Sequence, residues 1–321
     1  MRYLIRRLVL FVAALFGLSL LVFVALRILP GDVASVMAGT NATPERVAAL
    51  RSQMGLDRPY PRQYADWLSG LMRGDMGVSA ISGRSVASQI GSHASITMPL
   101  IVLSLIVALG VGIPLGCQAV LATHARMRGL LHALAIIGGA VPALWGGLLL
   151  IMLFGRGVGL MGVLPSQGFP DAGWRDPAAA IAALILPAVA TGLVAGAAIM
   201  RYTRACLMSM EDSDAVAMAM ACGMTRRQAM LGVGLRLSAA QLVSVAGLTF
   251  AQMVTGVMVV ESLFNLPGLG AMLINDVGNR DLVAVQSELF LLAAFFLLLG
   301  VLVDMVHHAL DPRLGEQPEE V

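Results

Sequence analysis

The 321-residue chain has no lysine; all 21 of its basic residues are arginine. A P-loop needs its lysine to reach the β- and γ-phosphates. Schiff-base catalysis needs one as nucleophile. The chain is therefore no ordinary P-loop ATPase by itself, and any ATP it depends on must be hydrolysed by a partner. Charge of either sign is also scarce: 12% of residues are charged, against roughly 25% in soluble globular chains. The three cysteines, Cys117, Cys206 and Cys222, fit neither a CxxC metal site nor a secreted disulfide framework. They read as small buried or incidental residues. HExxH and GxSxG are missing, which weakens hydrolytic readings. The formal net charge of +2 identifies no partner, and no nucleic-acid partner is expected.

What the chain does have is apolar surface. Hydrophobic residues make up 58% of it, and its mean hydropathy is +0.84. A membrane helix needs about 20 mostly apolar residues, and six stretches qualify. They are roughly Leu8–Leu29, Ile96–Ala122, Leu130–Phe154, Ala178–Met200, Ser238–Val260 and Val285–Val306. Arg2, Arg6 and Arg7 precede the first, but its apolar run exceeds a signal-peptide core and no clean cleavage site follows. It is expected to be a retained anchor.

Arginine bias sets the orientation. With the N-terminus inside, cytoplasmic pieces hold Arg2, Arg6, Arg7, Arg126, Arg128, Arg201, Arg204, Arg226, Arg227, Arg236 and Arg313. The short outside loops hold only Arg156, Arg175 and Arg280. Arginines in the long outside segment weigh little, because long loops translocate largely regardless of charge. Both termini are therefore expected in the cytoplasm.

Two short amphipathic helices are expected in the long outside segment. Thr43 can cap one, with Pro44 and Glu45 next and Val47, Leu50 and Met54 at helical spacing. "PRQYADWLSGLMRGDMG" offers Tyr64, Trp67, Leu68 and Leu71 on one face of the other. Such helices pack on the outer membrane surface or the bundle, or contact a partner. Pro99, Pro114, Pro142 and Pro187 interrupt spans, and Gly112–Gly116 and Gly192–Gly196 permit close helix approach. "GRGVGLMG" holds a literal GxGxxG at Gly157, Gly159 and Gly162. It follows a span rather than a strand, so a flexible loop is expected and no dinucleotide.

Ionisable residues inside a membrane are functional by default. Here they lie near span ends: Arg27 and Glu261 outside, and Asp304 with His307 and His308 inside. No carboxylate or histidine marks a span's middle. That argues against a midplane proton or sodium relay and against an intramembrane protease.

The segment "MEDSDAVAMAMACGMTRRQAM" (210–230) is the most unusual loop. Glu211, Asp212 and Asp214 stand at one end. Ala and Met, both good helix formers, fill the middle. Gly223 is placed to stop a helix, and Arg226 and Arg227 follow it. Both ends suit a helix dipole. A short cytoplasmic helix with a smooth Ala/Met surface is expected. Composition alone leaves open whether it docks into a partner's groove or packs under the spans.

At these residues the chain resembles the permease subunits of ABC importers, in particular the dipeptide/oligopeptide/nickel class. The resemblance covers nearly the whole chain. It also rests on "RYLIRRLVLF", "ILPGD", "GLDRPYPRQYADWLSGLMRGDMGVS", "GIPLG", "VVESLFNLPGLGAMLINDV", "RDLVAVQ" and "VDMVHHALDPRLG". It implies an all-α membrane protein, a type I ABC importer-like bundle of six transmembrane helices. The expected segments are an N-terminal tip and first helix (1–29), an extracytoplasmic segment with short helices (30–93) and a five-helix transmembrane domain (94–311). A cytoplasmic coupling loop lies at about 201–237 and a tail at 312–321.

The resemblance further implies that the loop helix carries the so-called EAA motif and docks into a cleft of an ATPase subunit. The expected docking residues are Asp214, Val216, Met218, Ala219, Ala221, Gly223, Arg226 and Arg227. Asp214, Val216, Ala219, Ala221 and Gly223 match the class pattern. Ala215, Ala217, Met218, Met220 and Cys222 depart from it and remove polar side chains. Polar contacts would then come from Arg226, Arg227, Glu211 or Asp212. In the family, the turn "FNLPGLG" borders the translocation path, so Glu261, Phe264, Asn265, Pro267 and Gly268 are candidates. A purely structural turn is the alternative.

The implied partners are a homologous second permease, two cytoplasmic ABC ATPases, an extracytoplasmic solute-binding protein and the bilayer of a bacterial inner membrane. ATP and Mg belong to the ATPases. No cofactor, metal or catalysis is expected of this chain. The resemblance implies alternating access for peptides or a similar small solute. The competing readings are a stand-alone ion-coupled transporter or channel, and a membrane anchor or receptor without transport.

Overall fold

A computed structural model describes residues 2–28, 34, 43–53 and 55–310. Among the described residues the regular structure is helical, with two isolated β-bridges, Val78 to Ser85 and Gly155 to Leu164. Five helices are long and apolar enough to cross a membrane, or six when one bent pair counts as a single span. The chain divides into two compact units: Met1–Ile96 with Gly268–Val301, and Thr97–Pro267 with Leu302–Val321.

The first unit begins with α1 (Arg2–Ile28). Leu8, Val9, Val12, Phe16 and Leu20 on α1 are exposed. That suits a helix whose solvent is lipid, with its backbone polar groups satisfied internally. Thr43 starts α2 (Pro44–Gln53), its carbonyl accepting from the Arg46 and Val47 amides at 3.0 and 3.2 Å. Val47 and Leu50 are half-buried, and Met54 lies outside the described residues. α3 (Tyr60–Met72) opens with Pro61 in its first turn, where its missing N–H costs nothing.

Aromatic and polar contacts hold α3 against α1. The Tyr64 and Ser19 hydroxyls are 2.8 Å apart, and the Tyr64 ring meets Phe23 edge-on at 5.3 Å. Trp67 meets Phe23 and Phe290. Arg27 packs back onto its own helix and α3. Its guanidinium lies over Phe23 at 4.7 Å and donates to Gln63 Oε1 at 2.8 Å.

α4 (Val86–Leu121) opens the second unit at Thr97. α5 (Ala125–Ala140) and α6 (Ala143–Phe154) follow. The stretch Leu130–Phe154 is not one continuous helix: α5 and α6 meet at 105°, and they make the sixth span only when counted as one broken span. Val141 and Pro142 are extended, with ψ of 120° and 142°. A residue before proline avoids helical backbone, so the chain leaves the helix at that point. Pro99, Pro114 and Pro187, by contrast, lie inside unbroken helices.

α7 (Pro177–Met210) is the unit's central helix, packing on α5, α6 and α11 (Ala239–Leu263). Asp176 caps it by accepting from the Ala179 amide. α7 runs ten residues past the span expected to end at Met200. Arg201–Met210 is therefore helix, so the segment expected as a loop at about 201–237 begins as helix. The two small-residue pairs meet across α4 and α7. A Cβ on Gly112 would lie 2.6 Å from the Gly196 carbonyl oxygen. One on Gly116 would lie 2.6 Å from Thr203 Cβ, and one on Gly192 would lie 2.7 Å from the Ser104 carbonyl oxygen. Ser104 and Thr191 share a hydroxyl contact of 2.5 Å across the same seam.

Beyond α7 come α8 (Asp214–Ala221), α9 (Arg226–Ala229), a π-helical turn (Met230–Gly234) and α10 (Leu235–Leu237). After α11 the chain re-enters the first unit as α12 (Leu269–Gly278) and most of α13 (Leu282–Leu310), whose end from Leu302 belongs to the second unit. Val285 of α13 packs with Val22 and Leu26 of α1.

Candidate functional site

α8 is a short helix capped at both ends. Ser213 Oγ accepts from the Val216 amide at 3.4 Å and donates to the Met210 carbonyl at 2.7 Å. Gly223 stops the helix at φ +94°, a backbone conformation open to glycine at little cost. Thr225 and Gln228 form a capping box that starts α9. The structure sorts the expected docking residues by face. Val216 is 1% exposed, within a cluster of Cys117, Val120, Leu207, Ala229 and Met230, and Ala219 packs against the same cluster. These two residues, one turn apart, fasten α8 to its own unit, Val216 fully and Ala219 in part. Met218 is 67% exposed; Asp214, Ala221, Gly223, Arg226 and Arg227 are also exposed.

The polar groups divide too. Arg226 Nη2 pairs with Glu211 Oε1 at 2.5 Å and points toward the Val120 carbonyl at 3.4 Å. Arg226 and Glu211 are thus engaged with each other. Asp212, Asp214 and Arg227 remain open on the surface. The outward face is apolar at its centre and charged only at its ends. The π-turn that follows was not foreseen; periodicity does not encode one extra residue in a turn.

The turn 264–268 joins α11 to α12. Glu261 is fully buried and accepts from Thr97 Oγ1 at 2.6 Å, while its backbone carbonyl accepts from the Leu266 amide. Phe264 is buried, and its carbonyl accepts from the Gly168 amide at 2.8 Å. Asn265, with φ +50°, and Pro267 are exposed, and Gly268 is buried. Of these candidates only Asn265 and Pro267 present surface. The GxGxxG segment is a loop after α6, its residues tied back to α6 carbonyls. The side chains of His307 and His308 lie outside the described residues.

Two features escaped the sequence reading. In the first unit Asp281 is fully buried and accepts from Ser79 Oγ at 2.7 Å, the Ile81 amide at 3.3 Å and the Ala284 amide at 3.2 Å. Close to it in sequence, Glu288 is 3% exposed. In the second unit a cavity of about 250 Å³ opens among α5, α6, α7 and α11. Arg201, Thr191, Thr249 and Gln252 are its polar lining, and no acidic residue lines it. Both features need tertiary placement to be seen. Arg201 in particular reads as a loop arginine until α7 is known to continue past it.

Residues 108–316 match the family described as "Binding-protein-dependent transport system inner membrane component", and residues 1–102 match its N-terminal counterpart. The chain belongs to this family. It is an inner-membrane transport permease of the ABC importer class, not a stand-alone carrier. The probable peptide ABC transporter permease y4tP of Sinorhizobium fredii is 31% identical over 312 residues, covering 97% of this chain and 98% of that one. The glutathione transport system permease GsiC of Escherichia coli K12 is 32% identical over 314 residues, 98% and 99% of the two chains. The dipeptide transport system permease DppB of the same strain is 32% identical, covering 98% of each chain. The inward-facing MetNI methionine ABC transporter has a chain of like fold: TM-score 0.58 and 17% identity over 70% of this chain and 96% of that one. That likeness identifies the bundle as type I ABC importer-like.

Proposed function

We propose that the chain is one permease subunit of an ATP-driven importer of peptides or a similar small solute. It pairs with a homologous second permease. Two cytoplasmic ATPases, which supply ATP and Mg, dock on the coupling helices. A solute-binding protein delivers cargo from outside, and both termini lie in the cytoplasm. The relatives named for peptide, dipeptide and glutathione transport favour the solute class.

The single observation that carries the mechanism is the construction of α8. One face is fastened inward by Val216 and Ala219, and the opposite face, centred on Met218, is exposed and apolar. A helix fastened on one side and bare on the other takes up a push and passes it to what it is fastened to. In alternating access, closure of the ATPase dimer moves α8, and the cluster of Cys117, Val120, Leu207 and Met230 carries that motion to α4 and α7. Hydrolysis and release reset it. This chain performs no covalent step.

The test replaces Met218 with Arg in the assembled importer. Uptake and solute-stimulated ATP hydrolysis should both fall about tenfold or more, as when a charge enters an apolar interface. Unchanged uptake would sink the docking assignment. Because Met218 faces outward, a loss would not reflect collapse of the bundle. The same substitution at Ala219 would disturb the fastening instead.

A further inference from the structure

We propose that Arg201 is a carboxylate-binding residue, and that the cavity it lines receives the carboxylate end of the transported solute. The inference rests on reading the chain as an importer permease, and names the chemistry its path recognises.

Arg201 lies in the long apolar helix α7, nine residues before its end at Met210, about 13 Å along the axis. Arg201 is exposed and lines the cavity. Nη1 donates to the Ala135 carbonyl at 2.8 Å, and Nε and Nη2 have no hydrogen-bond partner among the described residues. No acidic residue lines the cavity, so the positive charge is uncompensated there.

The place for the guanidinium is built. Gly139 of α5 lies directly against it, and a Cβ at that position would collide with Nη1. The Ala135 bond fixes one edge of the planar group and leaves the remaining donors toward the open space. A guanidinium with free donors matches a carboxylate in charge and in its two-pronged geometry. Thr249 and Gln252, one turn apart on α11, bring a hydroxyl and an amide to the same cavity. These suit a peptide bond or other polar neighbour of the carboxylate. At about 250 Å³ the space is just under the roughly 300–1,000 Å³ of small-molecule sites. It therefore takes a small solute or one end of a longer one. The rest of the lining is small or apolar, which gives little basis for side-chain selection.

The test uses the assembled membrane complex purified through this chain. Phenylglyoxal modifies accessible arginine, and modification of Arg201 is followed by peptide mass spectrometry alone and with dialanine, dialanine amide or succinate. The inference expects Arg201 to react in the unliganded complex. Dialanine or succinate should slow that reaction about fivefold or more at occupancies near saturation, and the amide should not. Arg201 that never reacts is covered by another group, and that overturns the inference. Protection by no carboxylate, or equally by dialanine and its amide, overturns it as well.

Protection by succinate but not dialanine leaves Arg201's role standing and removes the peptide reading. Uptake of dialanine into proteoliposomes with the binding protein and ATP adds the second measurement. Arg201→Gln should lower uptake about tenfold, the scale of one lost charge-assisted bond, and Arg201→Lys should recover part of it. Full uptake by Arg201→Gln overturns the inference while leaving the importer reading intact.

Discussion

The two units are held together by different means. In the first, polar and aromatic side chains bridge segments far apart in sequence: Ser79 to Asp281, Ser287 to the Met76 carbonyl, Tyr64 to Ser19, and Trp67 to Phe23 and Phe290. In the second, glycines let backbones touch along the seam between α4 and α7, with the directional contacts Ser104 to Thr191 and Thr97 to Glu261 beside them. Directional bonds hold one geometry and lose most of their strength when it changes. Backbone-to-backbone contact between small residues has no such preferred position along the seam, and it suits helices that must shift against each other. The contrast predicts a stiffer first unit and a second unit, the one carrying α8 and the cavity, that yields more readily along this seam.

The largest expected effect tests the stiffer unit. Asp281→Ala strands two buried donors, on Ser79 and Ala284, and a part-buried one on Ile81, and should cost about 4 kcal/mol by denaturant unfolding in detergent. Ser79→Ala alone should cost about 1–2 kcal/mol. A double mutant no worse than Asp281→Ala would locate the coupling in that bond.

Gly112→Ala tests the seam of the second unit. Its new methyl would meet the Gly196 carbonyl oxygen, which is backbone and yields little. About 2 kcal/mol of destabilisation is expected, together with slower uptake at equal protein. Unchanged uptake would break the contrast. Ser19→Ala should cost about 1 kcal/mol, because Tyr64 keeps its ring contacts. Arg226→Ala should cost under about 1 kcal/mol, because its pair with Glu211 is exposed. High salt should likewise weaken ATPase assembly little if Met218 and its neighbours dominate docking, and strong salt sensitivity would contradict an apolar interface.

The spans, α2, α3 and α8 were legible in the sequence because each carries a periodic pattern with an end signal: Thr43 with Pro44, Asp214 with Gly223. Even the glycine pairs Gly112–Gly116 and Gly192–Gly196 could be flagged, although that they face one another could not. What stayed hidden depends on tertiary placement or on a local break. Pro142 looked no different from Pro99, Pro114 and Pro187, yet only it turns a corner. Composition does not say which proline sits where neighbours can replace the lost hydrogen bond. Val216 and Met218 are both apolar residues of one helix, and only packing decides which is fastener and which is free face. Arg201 was assigned to a loop because hydropathy ends a span at the first charge, while the helix itself continues.

The corner between α5 and α6 has an electrical consequence. At 16 and 12 residues, each arm spans only about 24 or 18 Å, less than the ~30 Å hydrocarbon thickness. Gly139 and Ala143, on either side of the corner, both line the cavity. Backbone freed from helical bonding inside a bilayer is tolerated where it is buried in protein or lines a water-filled space, and a water-filled cavity would bring solvent to the corner. The insulating layer would then be thinner beside α7 than in the surrounding lipid. An anionic group held at Arg201 would have less low-dielectric material left to cross, and the membrane voltage would drop over a shorter path there.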